Sequence, residues 1–159
     1  MRIRLVGAAD IAPILEIWNP LIRDTSVTFT SFEKTHDGLA ADIAARGTAF
    51  LVAEEAGALM GFASHGTFRG GPGYVHTAEH TVIVAPSAQG RGAGRALMRA
   101  LEDQARAAGV HVLVAGVSAE NVPAIAFHRA IGFAEAGRLP EVGRKFGRWM
   151  DLVFLHKRV

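Results

Sequence analysis

The chain has 159 residues and no cysteine, which excludes disulfide bonds, thiolate metal ligands and an acyl-cysteine intermediate. Although 50% of the residues are hydrophobic, no apolar run approaches the roughly 20 residues that a bilayer-spanning helix needs. An excess of one charge is also lacking. The formal balance is +2, and the arginines are scattered, which is too slight and too diffuse a signal for nucleic acid. Repeats, low-complexity tracts and linkers are absent, and Met1 to Val6 reads directly into a strand rather than a cleaved signal. These absences lead to the expectation of one soluble, cytoplasmic domain over residues 1–159, with neither membrane nor nucleic acid as partner. A chain of this length buries roughly two thirds of its unfolded surface.

Strand and helix signals alternate along the chain. Ile3 to Val6 reads as a strand. Asp10 then caps a helix whose Ile11, Ile14, Leu15 and Trp18 face the core until Asn19-Pro20 stops it. Thr25 to Phe32 is polar, β-branched and irregular. A helix from Gly38 to Ala45 precedes strands Phe50 to Glu55 and Leu59 to Ser64, joined by a turn at Ala56-Gly57. Gly66 to Gly73 leads into a long strand, His76 to Val84. After it come an amphipathic helix ended by Gly109, a strand Val110 to Val117, a helix Asn121 to Ile131, a strand Phe133 to Arg138, a loop, and a last strand Trp149 to Leu155. Such an order predicts an α/β fold built around one mixed sheet.

Between the β-branched run Thr81-Val82-Ile83-Val84 and the amphipathic helix stands Gln89-Gly90-Arg91-Gly92-Ala93-Gly94. Ala93, Leu97, Ala100, Leu101, Ala105 and Ala108 mark the buried face of that helix, and Arg99, Glu102, Asp103 and Arg106 the wet one. A glycine-rich turn opening a helix lets backbone N–H groups approach an oxygen-rich anion, which the helix N-terminus also favours. Arg91 and Arg95 add full charges. The glycine spacing fits neither the dinucleotide fingerprint nor the nucleoside-triphosphate loop, which requires a Lys-Ser/Thr pair.

The string through Gln89, Gly90, Gly92, Ala93 and Gly94 resembles the coenzyme A pyrophosphate loop of the GCN5-related N-acetyltransferases, the GNAT family. Asn121-Val122-Pro123-Ala124 with Phe127-His128-Arg129-Ala130-Ile131-Gly132-Phe133 is similar to that family's cofactor-contacting asparagine and the helix ending that follows it. Tyr74 to Val82 and Val142 to Asp151 resemble the phosphinothricin and methionine sulfoximine N-acetyltransferase branch. The resemblance implies a mixed, mostly antiparallel sheet flanked by helices, with splayed central strands holding acetyl-CoA as cosubstrate and no metal. It implies acetyl transfer to the α-amino group of a small amino acid, and a homodimer whose two-fold interface lies near the Lys145–Arg148 loop. Transfer to peptide N-termini or other amines, or binding of acetyl-CoA without turnover, are the alternatives.

Such chemistry needs a base for the amine, donors for the carbonyl oxygen and a proton for the departing sulfur. Glu79 is the candidate base, pointing with Thr77, Thr81 and Ile83 and opposite Ala78, Val82 and Val84; a structural salt bridge is its alternative role. By resemblance, the backbone of Val82, Ile83 and Val84 lies beside the pantetheine arm, and Ile83 replaces a tyrosine usual in related sequences. His128 stands where many acetyltransferases place a tyrosine that protonates the thiolate. It serves that end or only hydrogen-bonds the cofactor. The resemblance points to Phe29, Arg69, Tyr74 and Lys145 for the acceptor, with Arg69 as a carboxylate clamp and Phe29 and Tyr74 as walls. His76 and His80 lie about 13 Å apart on a strand, too far to share a metal ion.

Overall fold

Seven strands form one mixed sheet in the computed structural model, which describes residues 1–159. They are β1 (Arg2–Leu5), β2 (Phe50–Glu55), β3 (Ala58–Thr67), β4 (Thr77–Val84), β5 (Val112–Ser118), β6 (Ala134–Lys145) and β7 (Arg148–Arg158). Their spatial order is β1-β2-β3-β4-β5-β7-β6. Every neighbouring pair is antiparallel except β4 and β5. The helices are α1 (Ile11–Asp24), α2 (His36–Arg46), α3 (Ala93–Ala107) and α4 (Val122–Ala130).

The two-residue period of the strands divides the core between the sheet's faces. Ala78 on β4 joins Leu97 and Leu101 of α3 and Leu113 of β5 in one apolar cluster, with Val82 and Val84 packed against it. Ile83 points the other way. It joins Ile14 of α1, Leu39 of α2 and Phe50 and Phe62 of β2 and β3. Thus the alternation read along β4 is the alternation found.

The parallel pairing of β4 with β5 is short, covering only Thr77, Ala78 and Glu79 against Val112, Leu113 and Val114. Beyond it, β4 stays with β3 as far as Val84, whereas β5 stays with β7 as far as Ser118. The sheet therefore forks at Glu79. Past that point, alternate N–H and C=O groups of β4 face the fork without a strand partner, which leaves them free for a ligand.

Several boundaries differ from the sequence reading. Asn19-Pro20 does not stop α1, which continues to Asp24 with Pro20 inside it. Pro20 lies on an exposed face, where the carbonyl that loses its helical N–H can turn to water, and Ile22 beyond it is fully buried. Asp10 stands at the N-cap of α1 but makes no side-chain cap bond there. Its carboxylate instead accepts from the Gly7 N–H at 2.7 Å and from both terminal nitrogens of Arg4 at 2.7 and 2.9 Å. The expected loop after Arg138 is strand: β6 runs to Lys145, with its register against β7 shifting between Leu139 and Gly143. Val110 and His111 precede β5 because the Val110 N–H bonds the Ala105 carbonyl and closes α3.

Candidate active site

The fork encloses a cavity of about 360 Å³. One wall is β4 from His80 to Ile83 and the other is β5 from Ala115 to Ser118. Asn121, Ala124 and His128 of the α4 region line it, and Trp18, Ile22 and the segment Val27 to Thr30 close it from the α1 side.

Glu79 stands where the strands part. It is half-buried, and burial pushes its carboxyl above the usual value with no partner opposing the shift. That is the environment of a proton acceptor rather than of a salt bridge. Its room comes from β5. A Cβ on Gly116 would sit 2.9 Å from Glu79 Oε1, so the carboxylate lies against a glycine that lines the cavity. Phe154 is the cross-strand partner of Gly116, and its ring meets Phe68 at 6.4 Å between centroids.

His128 is buried and lines the same cavity. Its Nδ1 lies 2.7 Å from the Ala124 carbonyl and its Nε2 lies 3.0 Å from Nε2 of His80. A carbonyl only accepts, so His128 carries its proton on Nδ1, and His80 donates from Nε2 to the His128 Nε2 lone pair. His80 Nδ1 is then left buried without a hydrogen bond, and the Val114 backbone, which favours a protonated His80, weighs less than burial. Burial pushes both imidazoles down, His80 to about 3 with the neighbouring His128 adding to the effect. Both rings are neutral near pH 7.

The Gln89–Arg95 turn follows β4 on the same side of the fork. Gly90 and Gly92 have φ of +73° and +83°, a region costly for other residues, and Gly92 is the residue from which α3 starts. Gly94 lies against Phe127 of α4 and Val84, tying the turn to both arms of the site. Arg91 is engaged by Glu55, so its charge is shared. Arg95 and Arg99 flank a surface trough beside Gly92. Asn121 caps α4, its Oδ1 accepting from the Ala124 N–H at 3.2 Å, and also borders the cavity.

The four residues expected at the acceptor do not come together. Phe29 lines the fork cavity. Arg69 and Tyr74 line a separate cavity with Arg46 and His65, the Arg69 guanidinium lying 5.4 Å from the Tyr74 ring centre. Lys145 requires the larger correction. It is 5% exposed, and its ammonium donates to the carbonyls of Ile22, Thr25 and Thr28 at 2.6, 2.6 and 2.9 Å. With three donors and three acceptors satisfied, it has none left for a substrate.

The acetyltransferase (GNAT) family model matches residues 15–133, which include the fork, the turn and α4. The chain belongs to the GNAT acetyltransferase family. An L-methionine sulfoximine/L-methionine sulfone acetyltransferase of Salmonella typhimurium is 41% identical over 98% of this chain and 92% of its own. The crystal structure of a ribosomal-protein-alanine N-acetyltransferase from Brucella melitensis superposes with a TM-score of 0.95 at 39% identity, covering 100% of both chains. A phosphinothricin acetyltransferase from Sinorhizobium meliloti, solved in complex with acetyl-CoA, gives a TM-score of 0.92 at 28% identity over 99% of this chain and 88% of its own.

Within this GNAT site, sequence reasoning missed His80 and Gly116. A histidine on the face of β4 that carries Ala78 and Val82 was a signal of a buried partner, and an isolated glycine in Val112-Leu113-Val114-Ala115-Gly116-Val117 was a signal of close approach. Neither identifies what approaches. No helix is long and apolar enough to cross a membrane.

Proposed function

We propose that this enzyme transfers acetyl from acetyl-CoA to the α-amino group of a small amino acid or analogue carrying a tetrahedral polar side-chain group, such as L-methionine sulfone, L-methionine sulfoximine or phosphinothricin. The observation that carries the proposal is the fork at Glu79, where an unpaired carboxylate with a raised affinity for protons meets strand backbone free to bind a ligand. The names of the relatives supply the acceptor class. The pyrophosphate lies on the Gln89–Arg95 turn, and the pantetheine arm runs beside Val82 to Val84.

The acceptor's amine gives a proton to Glu79, directly or through water, and its lone pair attacks the thioester carbon. Backbone N–H groups around Val82 to Val84 stabilise the oxyanion. The C–S bond then breaks with its electrons on sulfur, the nitrogen sheds its remaining extra proton to water as it becomes an amide, and the thiolate takes up a proton from water. As a neutral ring with its proton on Nδ1 held by the Ala124 carbonyl, His128 has none on Nε2 to give sulfur until the pair gains one. For the acceptor's carboxylate the proposed clamp is Arg69, which would have to reach the acceptor from the neighbouring cavity that it lines with Tyr74. Arg69→Ala should therefore raise the acceptor KM far more than it lowers kcat. The proposal includes a homodimer of two copies of the chain and a cytoplasmic site of action.

Incubating the enzyme with acetyl-CoA and a panel of amino acids, the three analogues and peptide amines, with thiol release as readout, tests the reading. Turnover of the analogues is expected. Activity confined to peptide amines would instead favour the second reading, which the likeness to the Brucella enzyme supports.

A further inference from the structure

The segment between α1 and α2 supplies Val27, Thr28, Phe29 and Thr30 to the cavity but has no helix or strand of its own from Thr25 to Thr35. Its placement therefore depends on what it touches. Two contacts come from one stretch of β6. A Cβ on Gly143 would lie 2.3 Å from the Phe29 ring, so that ring is seated directly on the strand's backbone. Two residues on, and so on the same face, Lys145 reaches the same segment. Its Nζ binds the carbonyls of Ile22 and Thr25 at the end of α1, and of Thr28 immediately before Phe29. The last turn of a helix has unpaired carbonyls and a partial negative charge, so an ammonium is the apt side chain there.

We propose that Lys145 is a positioning residue for acceptor specificity: it latches the Thr25–Thr30 segment to β6, so that Phe29 is held on Gly143 as a fixed wall of the acceptor pocket. This rests on the reading of the fork cavity as the acetyl-transfer site. Lys145 touches neither substrate. Its removal loosens a wall of the acceptor side and leaves the cofactor turn and Glu79, which lie on other elements, in place. Removing the ammonium takes the donor from three carbonyls at once, one in a buried bond and two in part-buried ones.

The test compares the wild type with Lys145→Met, similar in length but without donors, and with Lys145→Cys alkylated by bromoethylamine. Alkylation builds a lysine-like ammonium at one position only, because the chain has no other cysteine; it is carried out in denaturant and followed by refolding, with wild type taken through the same steps. In Lys145→Met, the acceptor KM should rise at least about tenfold while kcat and the acetyl-CoA KM change less than about threefold. Backbone amides of residues 25–30 should exchange at least about tenfold faster with those of β2 and β3 unchanged, and alkylated Lys145→Cys should recover both properties. An unchanged acceptor KM and exchange rate in folded Lys145→Met overturns the latch, as does an ammonium that restores neither. Failure of the acetyl-transfer reading looks different: wild type itself would be inert towards amino acids, while the exchange comparison still tests the latch.

Discussion

Glu79 shows how much a single side chain depends on its neighbour across the strand. Replacing it with glutamine keeps the shape and removes the base, and such losses cost about 10²–10⁴ in rate. Glu79→Gln should lose most of kcat while acetyl-CoA affinity by calorimetry stays near wild type. Near-normal turnover would show that another base serves. Because burial raises the carboxyl's pKa, wild-type kcat/KM should climb with pH through a value above the ordinary 4.5 of a glutamic acid. The variant should lack that limb. Gly116→Ala provides a second measure. The added methyl would meet the end of a flexible side chain at 2.9 Å rather than backbone, so the fold should tolerate it while the carboxylate shifts and kcat falls about tenfold or more. An unchanged kcat would mean that the observed carboxylate position is not the working one.

At the scale of the element, the turn before α3 was the most legible part of the chain, because its chemistry is local. Glycines at Gly90 and Gly92, an apolar strand before and a period of 3.6 after together specify a strand–turn–helix, and the structure has it. Gly92→Val places a β-branched residue at φ +83°, a strain of about 1–3 kcal/mol, but the space around it is open. The variant should fold with a lowered melting temperature and bind acetyl-CoA at least about tenfold more weakly. Unaltered affinity in a folded protein would remove the turn from the cofactor site. Elements whose form depends on distant contacts were less legible. Pro20 read as a helix stop, yet tertiary burial of Ile22 outweighs one missing hydrogen bond on a wet face. The part of β6 from Leu139 to Lys145 read as a loop because its order comes from β7, whose pairing carries a register shift that no local pattern announces. The roles of Lys145 and His80 were hidden for the same reason, since their partners lie 117 to 123 and 48 residues away in sequence.

Across the whole molecule, the buried histidines couple the site to stability. The folded chain holds His80 at about 3 and His128 below 6.5, whereas the unfolded chain protonates both near 6.5. The unfolded state thus binds more protons as pH falls below 6.5, and stability, complete above that value, is lost towards pH 3. The titratable groups bearing on His80 are His128 of α4 and His65 of β3. His65 is itself held down by burial and bonded to Gln104 of α3. Lys157 of β7, over the Phe133 ring that packs on both imidazoles, is paired with Glu102. The melting temperature should fall between pH 7 and pH 4, and less steeply in His80→Phe. Equal slopes would show that the pair does not govern acid lability.

At the same scale, the sheet's β6 edge is where the proposed dimer would form. Leu139, Val142, Phe146 and Trp149 are all at least 43% exposed on the β6–β7 hairpin, and large apolar side chains left in water at a sheet edge invite a partner surface. A two-fold contact there would cover these side chains with the same side chains of a second copy. Since β6 also carries Gly143 and Lys145, the proposed dimer would brace the strand that positions Phe29. Val142→Asp with Trp149→Glu should shift the mass measured by sedimentation from dimer to monomer and raise the acceptor KM, because the strand loses its support. A wild type that sediments as a monomer at micromolar concentration would dispose of the dimer, and an unchanged mass in the double variant would move the interface to another face.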